Sequence, residues 1–298
     1  MKAVIFPGQG AQYVGMGKDL YDNFPEAKDL FNRIDDIVKF ELSDKCFSGP
    51  AEELRKTSIQ QLAILSVSLA AYEVFKKKRI EVNFFSGLSL GEYSCLYPAG
   101  ILSLEDLVFL VKERALAMAA AAQNNSSCMF AVLGLDQDIV EKKQNIGFSV
   151  ANVNAPGQVA ISLSFDKKEV VKEELAKEGA KVVELDVSGG FHSHFMEPAK
   201  RRLEGIVKQL NFHDAKVPLV SNFTAESSID KEVIRNNLVD QLTHTVLWKK
   251  SVELMVSRGV DIFYEIGPSR VLKGIMRKIN PQLKVINMGE KDDFDSTV

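Results

Sequence analysis

The pentapeptide Gly87-Leu88-Ser89-Leu90-Gly91 follows the apolar run Val82-Asn83-Phe84-Phe85-Ser86 and precedes a helix-compatible segment, Gly91-Glu92-Tyr93-Ser94-Cys95-Leu96-Tyr97. In a G-x-S-x-G turn the serine sits at a sharply bent position between a strand and a helix, which exposes its hydroxyl as a nucleophile. Side chains at the two glycines would collide with the crowded turn, and the N–H groups behind the serine are free to meet a developing oxyanion. The pentapeptide alone is equally compatible with a tight turn that does no chemistry. The strand before it and the helix after it favour the nucleophile.

A serine nucleophile needs a base, and the chain has four histidines, His192, His194, His213 and His244. His213 lies in the polar stretch Asn211-Phe212-His213-Asp214, which reads as surface. His192 and His194 stand in Val187-Ser188-Gly189-Gly190-Phe191-His192-Ser193-His194, where the two glycines give the backbone freedom just before His192. A histidine taken blind is more often structural than catalytic, and the glycine-rich setting is what singles out His192.

Arg114 is the second informative residue. Ser103 reads as a helix N-cap with Asp106 three residues on, a variant of the capping box. On that helix Leu107, Leu110, Val111, Arg114 and Met118 share one stripe, which sets a guanidinium in the middle of an apolar face. A buried arginine has to be paired. Its partner is either a fixed Asp or Glu of the chain or a substrate carboxylate gripped by both arms of the guanidinium. The loop Phe6-Pro7-Gly8-Gln9-Gly10-Ala11-Gln12 follows the first apolar run; it lacks the third glycine of a dinucleotide fingerprint, and Gln9 or Gln12 can present amide donors there.

Short buried-strand runs (residues 3–6, 82–85, 217–222, 261–267 and 284–288) alternate with long helical stretches (58–78 and 103–122), which predicts an α/β fold with a mostly parallel sheet. The middle of the chain reads β-α-β-β-α-β, the split βαβ order of ferredoxin-like domains. The expected organisation is therefore a core of residues 1–126 and 188–298 carrying an inserted subdomain at 127–187, with hinges at 119–127 and 188–190.

With 298 residues and a net charge of −3, the chain has no overall basic field for nucleic acid or an anionic membrane. Cys46, Cys95 and Cys128 lack metal-ligand spacing, and their odd number argues against a disulfide framework. The first apolar run breaks at Pro7-Gly8, too early for a signal-peptide core, and no later run approaches transmembrane length. A cytoplasmic setting is expected.

Together these segments resemble the malonyl-CoA:acyl carrier protein transacylases, including the free-standing acyltransferases of polyketide synthases, from Phe6-Pro7-Gly8-Gln9-Gly10 to Glu265-Ile266-Gly267-Pro268. The resemblance implies a hydrolase-like α/β core with a ferredoxin-like insertion, Ser89 as the acyl-accepting nucleophile, His192 as general base and His194 as a bystander. It further implies Arg114 on the malonyl carboxylate, an oxyanion hole of the Gln9 and Leu90 N–H groups, Gln61 lining the pocket, and Phe191 in the malonyl-selecting form. The histidine would be oriented by a backbone carbonyl, which aligns with His244. It implies malonyl-CoA and an acyl carrier protein as partners, no cofactor or metal, no nucleic acid or membrane, and a monomer. An acidic carrier would dock on basic residues, for which Phe75–Arg79 (Phe-Lys-Lys-Lys-Arg), Lys249 and Lys250 are candidates.

The chain departs from the family pattern at Leu88 (usually His), Ala115 (usually Gly), Leu62 (usually Pro) and Leu247 (usually Arg). Two other functions fit the same residues: a hydrolase that frees stalled acyl groups from carrier proteins, and a silent module that only binds them. Arg114 argues against the first, because a buried cation does not suit simple acyl chains. The retained Ser89, His192 and Arg114 argue against the second.

Overall fold

The computed structural model describes residues 1–295. Its strands are, in chain order, β1 (Lys2–Phe6), β2 (Phe84–Gly87), β3 (Ser127–Leu133), β4 (Phe148–Ala155), β5 (Gln158–Ser164), β6 (Lys181–Glu184), β7 (Leu219–Val220), β8 (Ser227–Ser228), β9 (Ile262–Ile266) and β10 (Lys284–Met288). They form two sheets.

The larger sheet has the order β10-β9-β1-β2-β7-β8 and is parallel except for the β7–β8 pair. Helices cover both faces, so the central strands are continuous apolar runs rather than alternating ones: Ala3, Val4, Ile5 and Phe6 are all buried. The register sets Phe6 beside Gly87. The loop that carries Gln9 and the turn that carries Ser89 therefore leave the same edge of the sheet side by side.

The smaller sheet, order β4-β5-β3-β6, is antiparallel throughout. With helices Gln137–Lys142 after its first strand and Lys168–Lys177 after its third, it has the ferredoxin-like arrangement. It closes its own small core around Phe130, Val132, Val140, Ile161 and Leu175. β4 is also tied to the larger lobe, because the Val153 N–H donates to the Val246 carbonyl at 2.9 Å and the Val246 N–H to the Ala151 carbonyl at 2.8 Å.

Two helices of the larger lobe position the site. Leu104–Asn124 starts as the sequence predicts, with Ser103 Oγ accepting the Asp106 N–H at 3.1 Å, and it buries Leu107, Leu110, Val111, Arg114 and Met118. Thr57–Lys76 corrects one expectation: it is long and apolar enough to cross a membrane by length and composition. Most of that stretch is buried inside the protein, as suits a core helix that is apolar nearly all round.

The same helix shows how Phe75–Arg79, a candidate docking patch, is placed and paired. Gln60 and Gln61 are at its site-facing end, and fifteen residues at about 1.5 Å each carry Lys76 about 22 Å from Gln61. There Lys76 pairs with Glu73 at 2.5 Å and Lys77 with Glu26 at 2.9 Å. Phe75 itself is buried, and Lys76 and Lys77 are already ion-paired with acids of this chain.

Candidate active site

Ser89 occupies the turn between β2 and the short helix Leu90–Ser94, with φ 53° and ψ −103°. A non-glycine residue takes such a backbone only when its surroundings force it. A Cβ on Gly87 would lie 2.1 Å from the Gly91 carbonyl carbon, and one on Gly91 would lie 2.1 Å from the Phe6 oxygen. The pentapeptide's glycines are thus required by contact with backbone. Asn222 brackets the turn from β7's side: its Oδ1 accepts the Ser89 N–H at 2.6 Å and its Nδ2 donates to the Gly87 carbonyl at 2.8 Å.

His192 Nε2 lies 2.7 Å from Ser89 Oγ, and its Nδ1 lies 2.8 Å from the Gln241 carbonyl oxygen. A carbonyl only accepts, so Nδ1 carries the ring proton and Nε2 turns its lone pair to the serine. Burial pushes the imidazole down to about 4, the Gln241 carbonyl pulls it back up, and the nearby Arg114 charge depresses it further. The ring is therefore a neutral base at neutral pH.

The glycines before His192 act differently from the expectation. A Cβ on Gly189 would meet the Ala122 Cβ at 2.7 Å, and one on Gly190 would meet the Phe195 ring at 2.7 Å. Gly189 is small so that the segment can pass close to helix Leu104–Asn124, and Gly190 so that it can pass Phe195 and Ser127 of β3. The positive φ, 55°, belongs to His192 itself.

The expectation that His244 supplies the orienting carbonyl is wrong. His244 is exposed and its Nδ1 turns back to the Asp240 carbonyl at 2.8 Å. The chain leaves helix Lys231–Asp240 at Gln241, and that first residue past the helix aims its carbonyl at the ring.

Arg114 is fully buried. Its Nη1 donates to Gln61 Oε1 at 2.6 Å, its Nη2 to Ser89 Oγ at 3.2 Å and to Gln241 Oε1 at 3.3 Å, and the guanidinium lies 4.6 Å from the centre of the Tyr93 ring. Among the described residues no carboxylate forms an ion pair with it, so the alternative of a fixed Asp or Glu partner is not realised. Burial lowers its pKa, with Tyr93 and the Glu92 charge acting the other way.

Glu92 was not anticipated. It is completely buried, accepting the Asn222 N–H at 3.0 Å and Gln241 Nε2 at 2.6 Å through Oε2, and burial raises its pKa to about 7 against those bonds. Gln241 also donates to the Ser89 carbonyl at 3.0 Å, so one glutamine touches Ser89, His192, Arg114 and Glu92. The acid directly after Gly91 in a segment that is otherwise apolar is the one sequence signal that pointed here.

Gly8, Gln9, Leu88, Ser89, Phe191 and His192 line a cleft of about 150 Å³ whose other wall is Met129, Asn152, Asn154 and Ala160 of the smaller sheet, closed by Leu185 and Val187. Among the described residues neither the Gln9 N–H nor the Leu90 N–H has an acceptor. Both belong to the segments that β1 and β2 present side by side. Leu88 packs against the apolar cluster around Val246 and Trp248, a role open to leucine. Ala115 and Leu62 are buried without polar demand, and Leu247 keeps its N–H on the Asn222 carbonyl at 2.8 Å. No group of acids, histidines and cysteines among the described residues could hold a metal ion.

Residues 4–287 match the acyl transferase domain family. The malonyl CoA-acyl carrier protein transacylase of Bacillus subtilis (strain 168) is 38% identical over 304 residues, covering 99% of this chain and 96% of the relative. The acyl-carrier-protein-S-malonyltransferase of Bartonella henselae superposes with a TM-score of 0.95 at 36% identity, over 99% of this chain and 97% of that one. A malonyl-transacylase solved in complex with its type II polyketide acyl-carrier protein does so with a TM-score of 0.95 at 32% identity, over 99% and 98%. A serine on a forced turn, a buried histidine in reach of its oxygen and a likeness that spans nearly the whole length lead to one assignment: the chain belongs to the acyl transferase domain family.

Proposed function

We propose that the chain transfers a malonyl group from malonyl-CoA to the phosphopantetheine thiol of an acyl carrier protein, by way of an ester on Ser89. The observation that carries this reading is Arg114. A buried guanidinium bonded only to neutral oxygens, 3.2 Å from the serine oxygen, leaves a place for one carboxylate very close to the acyl carbon. A three-carbon diacid, whose free carboxylate is one methylene from the reacting carbonyl, fits that spacing.

In the first half-reaction His192 Nε2 takes the Ser89 proton as Oγ bonds to the thioester carbon. The carbonyl π electrons move to oxygen, and the Gln9 and Leu90 N–H groups hold that oxyanion. Its collapse breaks the C–S bond, and the leaving CoA thiolate takes the proton from His192. In the second half-reaction His192 deprotonates the carrier's thiol, sulfur adds to the ester carbon, and the breaking C–O bond returns the proton to Ser89. Gln61 holds one arm of Arg114, and Phe191 forms part of the cleft wall beside the acyl group. The Gln241 carbonyl replaces His244 as the group that orients His192.

We read residues 127–187 as an inserted unit whose strands β3, β4 and β5 supply the far wall of the cleft. All groups invoked lie on one chain, so the reaction needs no second copy, and we take the protein to act as a monomer in the cytoplasm. The pathway served is either fatty acid or polyketide synthesis.

The test is intact-protein mass after mixing with malonyl-CoA or acetyl-CoA, without carrier, for the wild type, Ser89→Ala and Arg114→Ala. A malonyl adduct on the wild type, absent from Ser89→Ala, weakened in Arg114→Ala and discharged by added carrier, is expected. Thioester consumption with no adduct and no transfer to the carrier means hydrolysis and overturns the reading. No reaction at all leaves a carrier-binding module.

A further inference from the structure

We propose that Gln60 is a positioning residue that sets the oxyanion donor of the Gln9 loop; this rests on the transferase reading and deepens it. Gln9 stands between two glycines, Gly8 against the Leu88 oxygen and Gly10 at φ 97°, so its neighbours bring no side chains to anchor the loop. The Gly10 N–H donates to Gln12 Oε1 at 2.9 Å on the exposed side, and the anchor on the buried side is Gln9's own amide. Its Nε2 donates to Gln60 Oε1 at 2.5 Å and its Oε1 accepts from Gln61 Nε2 at 3.3 Å, with Gln60 and Gln61 both buried in the first turns of helix Thr57–Lys76.

The orientation of these amides follows from Arg114. A guanidinium only donates, so Gln61 must offer it an oxygen and turn its own NH2 elsewhere. That NH2 reaches Gln9 Oε1, which leaves the Gln9 NH2 to find an acceptor, and the acceptor is Gln60 Oε1. The donor direction runs one way, from Arg114 through Gln61 and Gln9 to Gln60, and bonds aligned in series in a dry site strengthen one another. Gln60 terminates the series. Without an acceptor at this place the Gln9 amide is held at one end only, and the loop that carries the Gln9 N–H is free to shift against the Leu90 N–H. A shift of that kind weakens stabilisation of the oxyanion and leaves the carboxylate clamp at Arg114 intact.

The experiment compares Gln60→Met, which keeps the length and loses the acceptor, with Gln60→Glu, which keeps an acceptor oxygen. Single-turnover acylation of Ser89 is followed by rapid quench and intact mass over a range of malonyl-CoA and acetyl-CoA concentrations, with thermal melts of each protein. Loss of a whole oxyanion donor costs about 10²–10³-fold in rate, so a displaced one in Gln60→Met is expected to lower the maximal rate about tenfold for both thioesters. The half-saturating concentration should stay within about twofold, since uniform binding is untouched. Gln60→Glu should return the rate to within about threefold of the wild type, by the same measure of an acceptor retained. An unchanged maximal rate in Gln60→Met overturns the proposal. So does a defect that appears only in half-saturation by malonyl-CoA, which would put Gln60 on the carboxylate clamp. Equal losses of rate and melting temperature in both variants overturn it in favour of a purely structural role. A wild type that takes no acyl group removes the transferase reading itself, whereas a wild type that acylates normally beside an equally fast Gln60→Met removes only the role of Gln60.

Discussion

The Ser89 turn and the His192 segment meet across 2.7 Å, yet the chain builds them by opposite means. The turn's own elements are contiguous: β2, two glycines and the helix Leu90–Ser94 lie within a dozen residues, and the Phe6 oxygen against Gly91 and the Asn222 amide brace them from elsewhere. The histidine is placed from a distance. Its ring is held by the carbonyl of Gln241, forty-nine residues further on, and its segment is seated against helix Leu104–Asn124 from the other side. A nucleophile written into a contiguous motif can be recognised anywhere, whereas a base set by tertiary contacts depends on the rest of the fold.

Chemically the two halves should be equally indispensable. Ser89→Ala and His192→Ala are each expected to lower the consumption of malonyl-CoA in the presence of carrier about 10³-fold or more, as for members of a serine–histidine unit that act together. Their double variant should be no worse than either alone, because the unit is already broken. Additive losses in single-turnover assays would mean that the two residues do not act in one step.

Structurally the halves should differ. In Gly91→Ala the new methyl meets backbone at 2.1 Å, where nothing can yield. A stability loss of about 3 kcal/mol or more is expected, together with loss of the adduct. In Gly190→Ala the methyl meets the Phe195 ring at 2.7 Å, and a side chain can move. There the expected cost is about 1 kcal/mol, and the adduct still forms. Urea melts and intact mass measure both, and equal costs would erase the distinction between a local turn and a docked segment.

Arg114→Met separates specificity from chemistry within the same site. A bidentate contact to a charged group contributes about 3 kcal/mol, so malonyl acylation should fall about 10²-fold, with acetyl acylation within about threefold of the wild type. A comparable fall with both thioesters would make Arg114 a partner of the Ser89 oxygen and not of the substrate carboxylate.

The buried histidine also predicts a pH response. In the proposed mechanism its neutral form is the base, so with a pKa near 4 the kcat/KM for malonyl-CoA should stay level from pH 8 to about 5 and fall below that. The ordinary histidine value is about 6.5, so between there and 4 the unfolded chain binds the proton and the folded one does not. The contribution of His192 to stability is therefore whole above pH 6.5 and is lost as the pH falls toward 4, so the wild type's fall in stability over that window should be smaller in His192→Gln. An acid limb near 6.5 would mean a solvated ring.

How much was legible follows the same divide. Ser89 could be read because strand, turn and helix are adjacent, and Arg114 because a charge in the middle of an apolar stripe demands a reason. The inserted β-α-β-β-α-β order could be read from periodicity, and the structure gives it the ferredoxin-like sheet. Gln241 could not be read from its side chain, since every residue carries a carbonyl and only the path of the chain past Asp240 decides which one faces the ring. Asn222 was hidden for a like reason: it reaches the Ser89 turn from the turn that follows a strand of two residues, far off in sequence. The pairing within the Phe75–Arg79 run was hidden because Glu26, the partner of Lys77, lies far off in sequence.

The smallest expected effect is the sharpest test of that divide. His244→Ala removes an exposed ring bonded to the Asp240 carbonyl and to Thr243, neither of which touches Ser89, His192 or Arg114. Acylation should stay within about twofold of the wild type, the usual range for a surface substitution. Gln241→Ala keeps the carbonyl that orients His192 and removes the amide that bonds Arg114, Glu92 and the Ser89 carbonyl. It should slow malonyl acylation about tenfold, since a buried amide's bonds are lost and Glu92 is left short of a donor. The acid limb of the pH profile should stay where it is, because the backbone contact to His192 remains. If His244→Ala proved the more damaging of the two, the base would be held through residue 244, and the path of the chain after helix Lys231–Asp240 would have to differ from the one described.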